Sequence, residues 1–353
     1  MTETKRNLNL DLIRCFALLF VPCMHGIDNT GLYTIQLSSA SDIFMMFIRI
    51  LFTTCIPLYI LLTGFLCNKK ELSLRYYLGY VRVYLIYLLC SVPCVFLEVY
   101  YKHSLTGLRE IVSSVLNFNA CGYAWYIMMY TGLFIMIPFL NMMYHGCATK
   151  RQKQVLIASF FALSILPSLL NMYFQIYSVW WDRLYPICYY FTGAYLSEYM
   201  PQISLKKAGA FFFGFLAAFS VFFYFNYHGD GSALLYVYQT AWDIYILGIL
   251  AFVFLFKLPL GQIPAWVKRL IMRISDLTLA IYLLTWIPDG LTYPIMVRIA
   301  PQVGDRYVWL LITVPVALIS ATLMAVAIDW IFKPIYRFIM NRLNALILKV
   351  PEL

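Results

Sequence analysis

Ile43 through Leu66 read IFMMFIRILFTTCIPLYILLTGFL, with one charge, Arg49, in the whole run. As a helix rising ~1.5 Å per residue, this stretch spans the ~30 Å hydrocarbon core of a bilayer. Similar apolar runs between polar clusters predict ten helices, at about 8–28, 43–66, 77–100, 123–143, 154–173, 184–199, 209–227, 234–256, 276–297 and 307–332. Of the 353 residues, 63% are hydrophobic and 12% charged, about half the roughly 25% charge of soluble chains. Mean hydropathy is +0.77. A soluble core cannot hide so much apolar surface, and the runs extend from end to end, which excludes a peripheral or single-anchor protein. The expected fold class is all-α: a polytopic transmembrane helix bundle of about ten spans, forming a single integral-membrane domain over 1–353. Pro57, Pro93, Pro138, Pro167, Pro288 and Pro315 fall inside these runs. They are tolerated in a membrane because neighbouring helices can satisfy the freed carbonyls.

Orientation follows from the basic residues. With the N-terminus in the cytoplasm, eighteen of the 26 Lys and Arg fall in inner segments, from Lys5 and Arg6 to Arg342 and Lys349. Five fall in outer segments (Lys102, Arg109, Arg183, Arg298 and Arg306), and Arg14, Arg49 and Arg82 lie within spans. The positive-inside rule therefore places both termini in the cytoplasm. It also accounts for the net charge of +10 without a nucleic-acid partner, and no basic run is interleaved with aromatics in the manner that tracks a nucleic-acid strand. The nine cysteines form no CxxC pair and no Cys/His cluster of zinc spacing, so neither a disulfide framework nor a metal is expected. The first apolar run has no small-residue cleavage site and is read as a retained span.

Ionisable groups at membrane depth are costly and mark function. The first span holds Asp11, Arg14 and His25, followed by Asp28. Eleven helical residues turn through about 1100°, which is within about 20° of three full turns, so Arg14 and His25 share a face, ~16.5 Å apart along the axis. Asp11 can pair with Arg14, and Asp28, one turn after His25, could orient its imidazole. The other histidines, His103, His145 and His228, fall in loops or at span edges. An imidazole suits proton abstraction from a hydroxyl at neutral pH, and no Ser or Cys with a matching base stands out. Asp243 and Arg49 either line the cavity or pair with each other.

The segment Arg6 to His25, with Asp11-Leu-Ile-Arg14 and then His25, resembles the opening signature of the acyltransferase-3 family, an R-X10-H motif preceded by D-x-x-R. Pro57-Leu58, Thr63-Gly64-Phe65, Arg75, Arg82, Trp125-Tyr126, Tyr190-Phe191-Thr192-Gly193 and Ile281-Tyr282-Leu283-Leu284 are similar to its later short motifs. One departure stands out: many members carry a His after the late Tyr-Leu-x element, where this chain has Thr285-Trp286.

The resemblance implies a multi-spanning enzyme of the bacterial cytoplasmic membrane. Such an enzyme moves an acyl group, most often acetyl from acetyl-CoA as co-substrate, onto hydroxyls of surface or exported glycans or their lipid-linked precursors. It holds no bound cofactor. On this reading His25 is the general base and Arg14 its catalytic companion, with Asp11 and Asp28 in support. Arg75 and Arg82 hold the donor phosphates, and Trp125 and Tyr126 stack on the acceptor sugar. Trp180 and Trp181 read as interfacial belt. A transporter or lipid-linked-sugar translocase is the second reading. It lacks the paired interrupted spans of inverted repeats, and the charges concentrate in the first span. A non-catalytic membrane module is the third. Oligomeric state is not legible.

Overall fold

The computed structural model describes residues 6–347. Lys5 and Lys349, counted above on the inner face, lie outside the described residues, as do both chain ends. In chain order the helices are α1 (Leu8–Thr30), α2 (Ala40–Phe52), α3 (Cys55–Cys67), α4 (Leu74–Leu78), α5 (Tyr80–Phe96), α6 (Leu108–Leu116), α7 (Trp125–Gly146), α8 (Lys150–Ser164), α9 (Leu166–Leu170), α10 (Tyr185–Glu198), α11 (Leu205–Asn226), α12 (Trp242–Phe256), α13 (Ala265–Leu284), α14 (Trp286–Ile299) and α15 (Val303–Ile347). Among the described residues there is no strand, only a lone β-bridge between Gln36 and Asp230. The fold is all-α and polytopic.

Six helical stretches are long and apolar enough to cross a bilayer: Leu8–Thr34, Ala40–Cys67, Leu74–Tyr101, Trp125–Gly146, Leu205–Asn226 and Val303–Leu346. The pair α13 and α14, bent by 52°, adds a seventh if it counts as one span. Helix α12 is apolar but shorter. The runs at 154–173 and 184–199 overlap α8 and α10, helices of 15 and 14 residues. At ~1.5 Å per residue each is shorter than the ~30 Å apolar slab, because part of the apolar run lies in turns.

The run 43–66 is not one unbroken helix. It pauses at Thr53-Thr54 between α2 and α3. Pro57 lacks the N–H that would bond the carbonyl of Thr53, and its ring crowds that carbonyl. The two threonine hydroxyls donate back to carbonyls of the preceding turn, those of Arg49 (2.9 Å) and Leu51 (2.7 Å), a bonding that bends helices. The start of α2 is closed by a capping box, Ser39 with Asp42.

The chain divides into two compact units. The first holds residues 1–68, 143–275 and 296–311. In it α3 packs against α10, α1 and α12, while α11 packs on α2 and α12. Helices α3 and α10 touch backbone to backbone. A Cβ on Gly64 would lie 2.0 Å from the carbonyl oxygen of Tyr190, and one on Gly193 would lie 2.1 Å from that of Leu61. Lipid gives helices no hydrophobic incentive to associate, so close packing through small residues holds them together. The short motifs around Gly64 and Gly193 are thus a helix–helix contact. Arg306 adds a polar tie, donating to the carbonyls of Thr30 (2.8 Å), Ala300 (2.8 Å) and Pro301 (2.6 Å).

The second unit holds residues 69–142, 276–295 and 312–353. Within it the Tyr76 hydroxyl donates to the carbonyl of Phe134 at 2.6 Å, and the Tyr76 and Phe134 rings stack 4.5 Å apart. Tyr80 and Thr131 bond through their hydroxyls, and the Tyr87 hydroxyl reaches the carbonyl of Val115 at 2.7 Å.

Gly64→Val and Gly193→Val are each expected to lower stability by about 3 kcal/mol or more, the upper range of overpacking. Gly132→Ala, at a position with open space around the added Cβ, is expected to leave it unchanged. Thermal unfolding of detergent-solubilised protein, followed by size-exclusion profile, checks this. Equal midpoints for the Gly64 and Gly132 variants would contradict the close contact.

Candidate active site

Helix α1 starts at Asn7, whose side chain accepts from the N–H of Asn9, and runs through Pro22 to Thr30 without interruption. Arg14 and His25 therefore ride on one helix of the first unit. Near its start, four side chains converge. Asp11 is buried and accepts from Arg6 Nε at 2.6 Å, Arg6 Nη2 at 2.8 Å and the Ser275 hydroxyl at 2.6 Å. Arg14 Nη1 donates to that same Ser275 oxygen at 2.7 Å and lies 3.6 Å from Asp11. The expected Asp11–Arg14 pair is present, but Arg6 makes the shorter contact. Ser275 bridges the two partners, and no spacing in the sequence pointed to it. The Arg14 side chain keeps 29% of its surface exposed, so its guanidinium retains donors for a ligand.

At the other end of α1, Asp28 accepts from Arg49 Nε at 3.2 Å. Arg49 is 1% exposed and also donates to the carbonyl of Val237 at 2.8 Å. This ion pair ties the end of α1 to α2 and to the segment before α12. Arg49 is engaged with Asp28, not with Asp243, which was the pairing the sequence left open. Asp243 lies in the first turn of α12, where the positive end of the helix dipole favours a carboxylate. The scarcity of charge within spans was the signal that flagged Arg49. Nothing in the sequence named its partner.

His145 Nε2 bonds the carbonyl of Asn68 at 2.6 Å, and His103 and His228 occupy left-handed turns at φ 53° and 51°. Trp180 is 87% exposed, as an interfacial residue would be. All nine cysteines are free, and among the described residues no group of His, Cys, Asp or Glu could hold a metal.

In the second unit, Arg75 on α4 and Arg82 on α5 are both exposed. The helix assignment pauses at Gly79, whose φ of −57° and ψ of −26° remain helical, so the two arginines stay close to one face. Arg82 lines a small cavity of about 20 Å³ with Asp276 and Asp329. Trp125 and Tyr126 begin α7, their rings edge to face at 6.2 Å, and Tyr126 meets Tyr282 at 6.0 Å. The position of the late His is now legible. Thr285 is buried and bonds the carbonyl of Tyr282 at 2.7 Å. Trp286 Nε1 donates to Glu98 Oε1 at 2.9 Å, and Lys102 Nζ binds the same carboxylate oxygen at 2.9 Å while lying 3.9 Å from the Trp286 ring. One turn on, the buried Asp289 accepts from the Tyr123 hydroxyl at 2.8 Å.

Apolar helices on this scale define a multi-pass membrane protein. The chain belongs to the acyltransferase-3 family: the family's acyltransferase domain matches residues 7–333, which contain Arg14, His25 and every other residue described above as a site candidate. The protein is thus a membrane acyltransferase. No curated protein and no solved structure matches it.

Arg49→Met is expected to destabilise the first unit by about 3 kcal/mol or more, because it leaves Asp28 without its cation in a largely buried site. The double variant Asp28→Leu/Arg49→Met is expected to recover at least half of that loss. Unfolding midpoints of the three proteins measure the coupling, and simple additivity would contradict the ion pair as a structural tie.

Proposed function

We propose that this acyltransferase moves an acetyl group from cytoplasmic acetyl-CoA to a hydroxyl of a cell-surface or exported glycan, or of its lipid-linked precursor. It would do so in the bacterial cytoplasmic membrane, as one domain of about ten spans with both termini in the cytoplasm. The observation that carries the proposal is the family match over 7–333, together with Arg14 and His25 on the single continuous helix α1. In the proposed reaction the His25 imidazole takes the proton of the acceptor hydroxyl as its oxygen attacks the thioester carbonyl. The C–O ester bond forms, the C–S bond breaks, and the imidazolium returns the proton to the departing CoA thiolate. No covalent enzyme intermediate is needed.

Arg14, anchored by Ser275 and Asp11, presents a cation on the path of the donor, three turns before His25. The exposed guanidiniums of Arg75 and Arg82 suit the CoA phosphates, since Arg binds phosphate oxygens in pairs. Asp28 supports the base indirectly: by holding Arg49 it fixes the end of α1 that carries His25. Trp125 and Tyr126 supply aromatic faces for the acceptor sugar.

Membranes carrying the protein, given labelled acetyl-CoA and a glycan or lipid-linked-sugar extract, are expected to transfer label. His25→Ala should lower transfer about 100-fold or more, the scale of general-base catalysis, with the folded yield unchanged. Label transfer that is indifferent to His25 would overturn the mechanism. Movement of a sugar substrate without any label transfer would favour the translocase reading.

A further inference from the structure

The second unit contains a cavity of about 670 Å³ that none of the residues assigned above was chosen to explain. Its lining includes Glu98, Ser104, Arg109, Glu110, Asn119 and Trp286. The volume falls within the roughly 300–1,000 Å³ of small-ligand pockets. The lining comes from the π-helical turn Leu97–Tyr101 that follows α5, from α6 and its flanking turns, and from the first residue of α14 after the 52° bend. By the distribution of basic residues, Lys102 and Arg109 belong to the outer face.

The chemistry of the lining is specific. Trp286 is fixed from three sides: its N–H is held by Glu98, Lys102 lies over its ring, and Gly122 packs so tightly that a Cβ there would come within 2.6 Å of the indole. Glu98 is fixed in turn by Lys102 and by the Ser104 hydroxyl at 2.6 Å. Glu110 accepts from the Thr106 N–H at 2.8 Å and the Thr106 hydroxyl at 3.0 Å. These bonds, the backbone one first, hold its carboxyl below the usual carboxylate range, so it stays an acceptor at neutral pH. Arg109 and Asn119 are exposed at the same wall. A preorganised indole beside carboxylate, hydroxyl, amide and guanidinium groups offers an apolar surface together with both donors and acceptors. That combination fits a ring with an apolar C–H face and hydroxyls around its rim.

We infer that this cavity is the part of the acceptor-sugar site that lies beyond Trp125 and Tyr126, a pyranoside-binding pocket in which Trp286 is the aromatic wall and Glu110, Arg109 and Asn119 bond the ring hydroxyls. The inference rests on the proposed glycan acyl transfer and deepens it. Thr285-Trp286, in place of the late His, thereby becomes a change at the acceptor pocket.

The test uses the purified full chain in nanodiscs and two readouts. The first is saturation-transfer NMR with methyl pyranosides of the gluco, galacto, manno and N-acetylglucosamine series, with inorganic phosphate competing. The second is transfer of labelled acetyl to whichever pyranoside binds. Arg109→Ala, Asn119→Ala and Trp286→Phe are each expected to weaken binding about five-fold or more, the scale of a lost polar contact. Arg151→Ala on α8 is expected to have no effect, and Arg109→Ala and Asn119→Ala, both at exposed positions, should keep the wild-type unfolding midpoint. Binding by none of the pyranosides, displacement by phosphate alone, or unchanged binding in both Arg109→Ala and Asn119→Ala overturns the pocket. If acetyl transfer persists equally in those two variants, the acyltransferase reading stands and the pocket falls. If pyranoside binding is lost in the variants while the wild type transfers no acetyl, the pocket stands and the acyl-transfer reading falls.

Discussion

Lipid offers no hydrogen-bond partner, so each polar group at membrane depth must find one in the protein or bear a cost of several kcal/mol. The arrangement of this chain follows from that constraint. Arg49, almost wholly enclosed, is distributed over Asp28 and the carbonyl of Val237. Asp11 is surrounded by donors from Arg6 and Ser275. The Thr53 and Thr54 hydroxyls are satisfied by carbonyls of the preceding turn. Where no polar group is available, the same economy appears as packing: Gly64 and Gly193 let α3 and α10 approach until backbone meets backbone.

These ties bear on α1, the helix that carries Arg14 and His25. One end is held through Asp11 and Ser275, the other through Asp28 and Arg49. Two charged anchors at opposite ends of one helix leave it little freedom to rotate. The face shared by the cation and the imidazole is therefore set by contacts outside that face. In the proposed mechanism these anchors position the two motif residues, and Asp11 and Asp28 act through them.

The all-α, multi-pass class was legible at once, because apolar length and charge scarcity are properties of composition. The first-span motif was legible because helical periodicity is set by the backbone, and α1 is continuous over it. The break at Thr53-Thr54 was not foreseen: its cause, Pro57, was visible, but prolines in membrane helices are often absorbed without a break. Ser275 lies 261 residues from Arg14 in sequence, and only folding brings it there. The partner of Arg49 was equally hidden, since three in-span arginines and several carboxylates permit many pairings. Trp286 was noticed only as a missing His. Its hydrogen bond to Glu98, 188 residues away, made it readable as part of a pocket wall.

The central claim is acyl transfer from a cytoplasmic donor, through His25, to an acceptor outside. Sealed right-side-out vesicles, loaded internally with labelled acetyl-CoA and presented externally with glycan, test it most directly. The account predicts that label accumulates on the outer glycan with the wild-type chain and falls to background with His25→Ala. Label that reaches the glycan equally in the His25 variant, or only when acetyl-CoA is supplied outside, would contradict it.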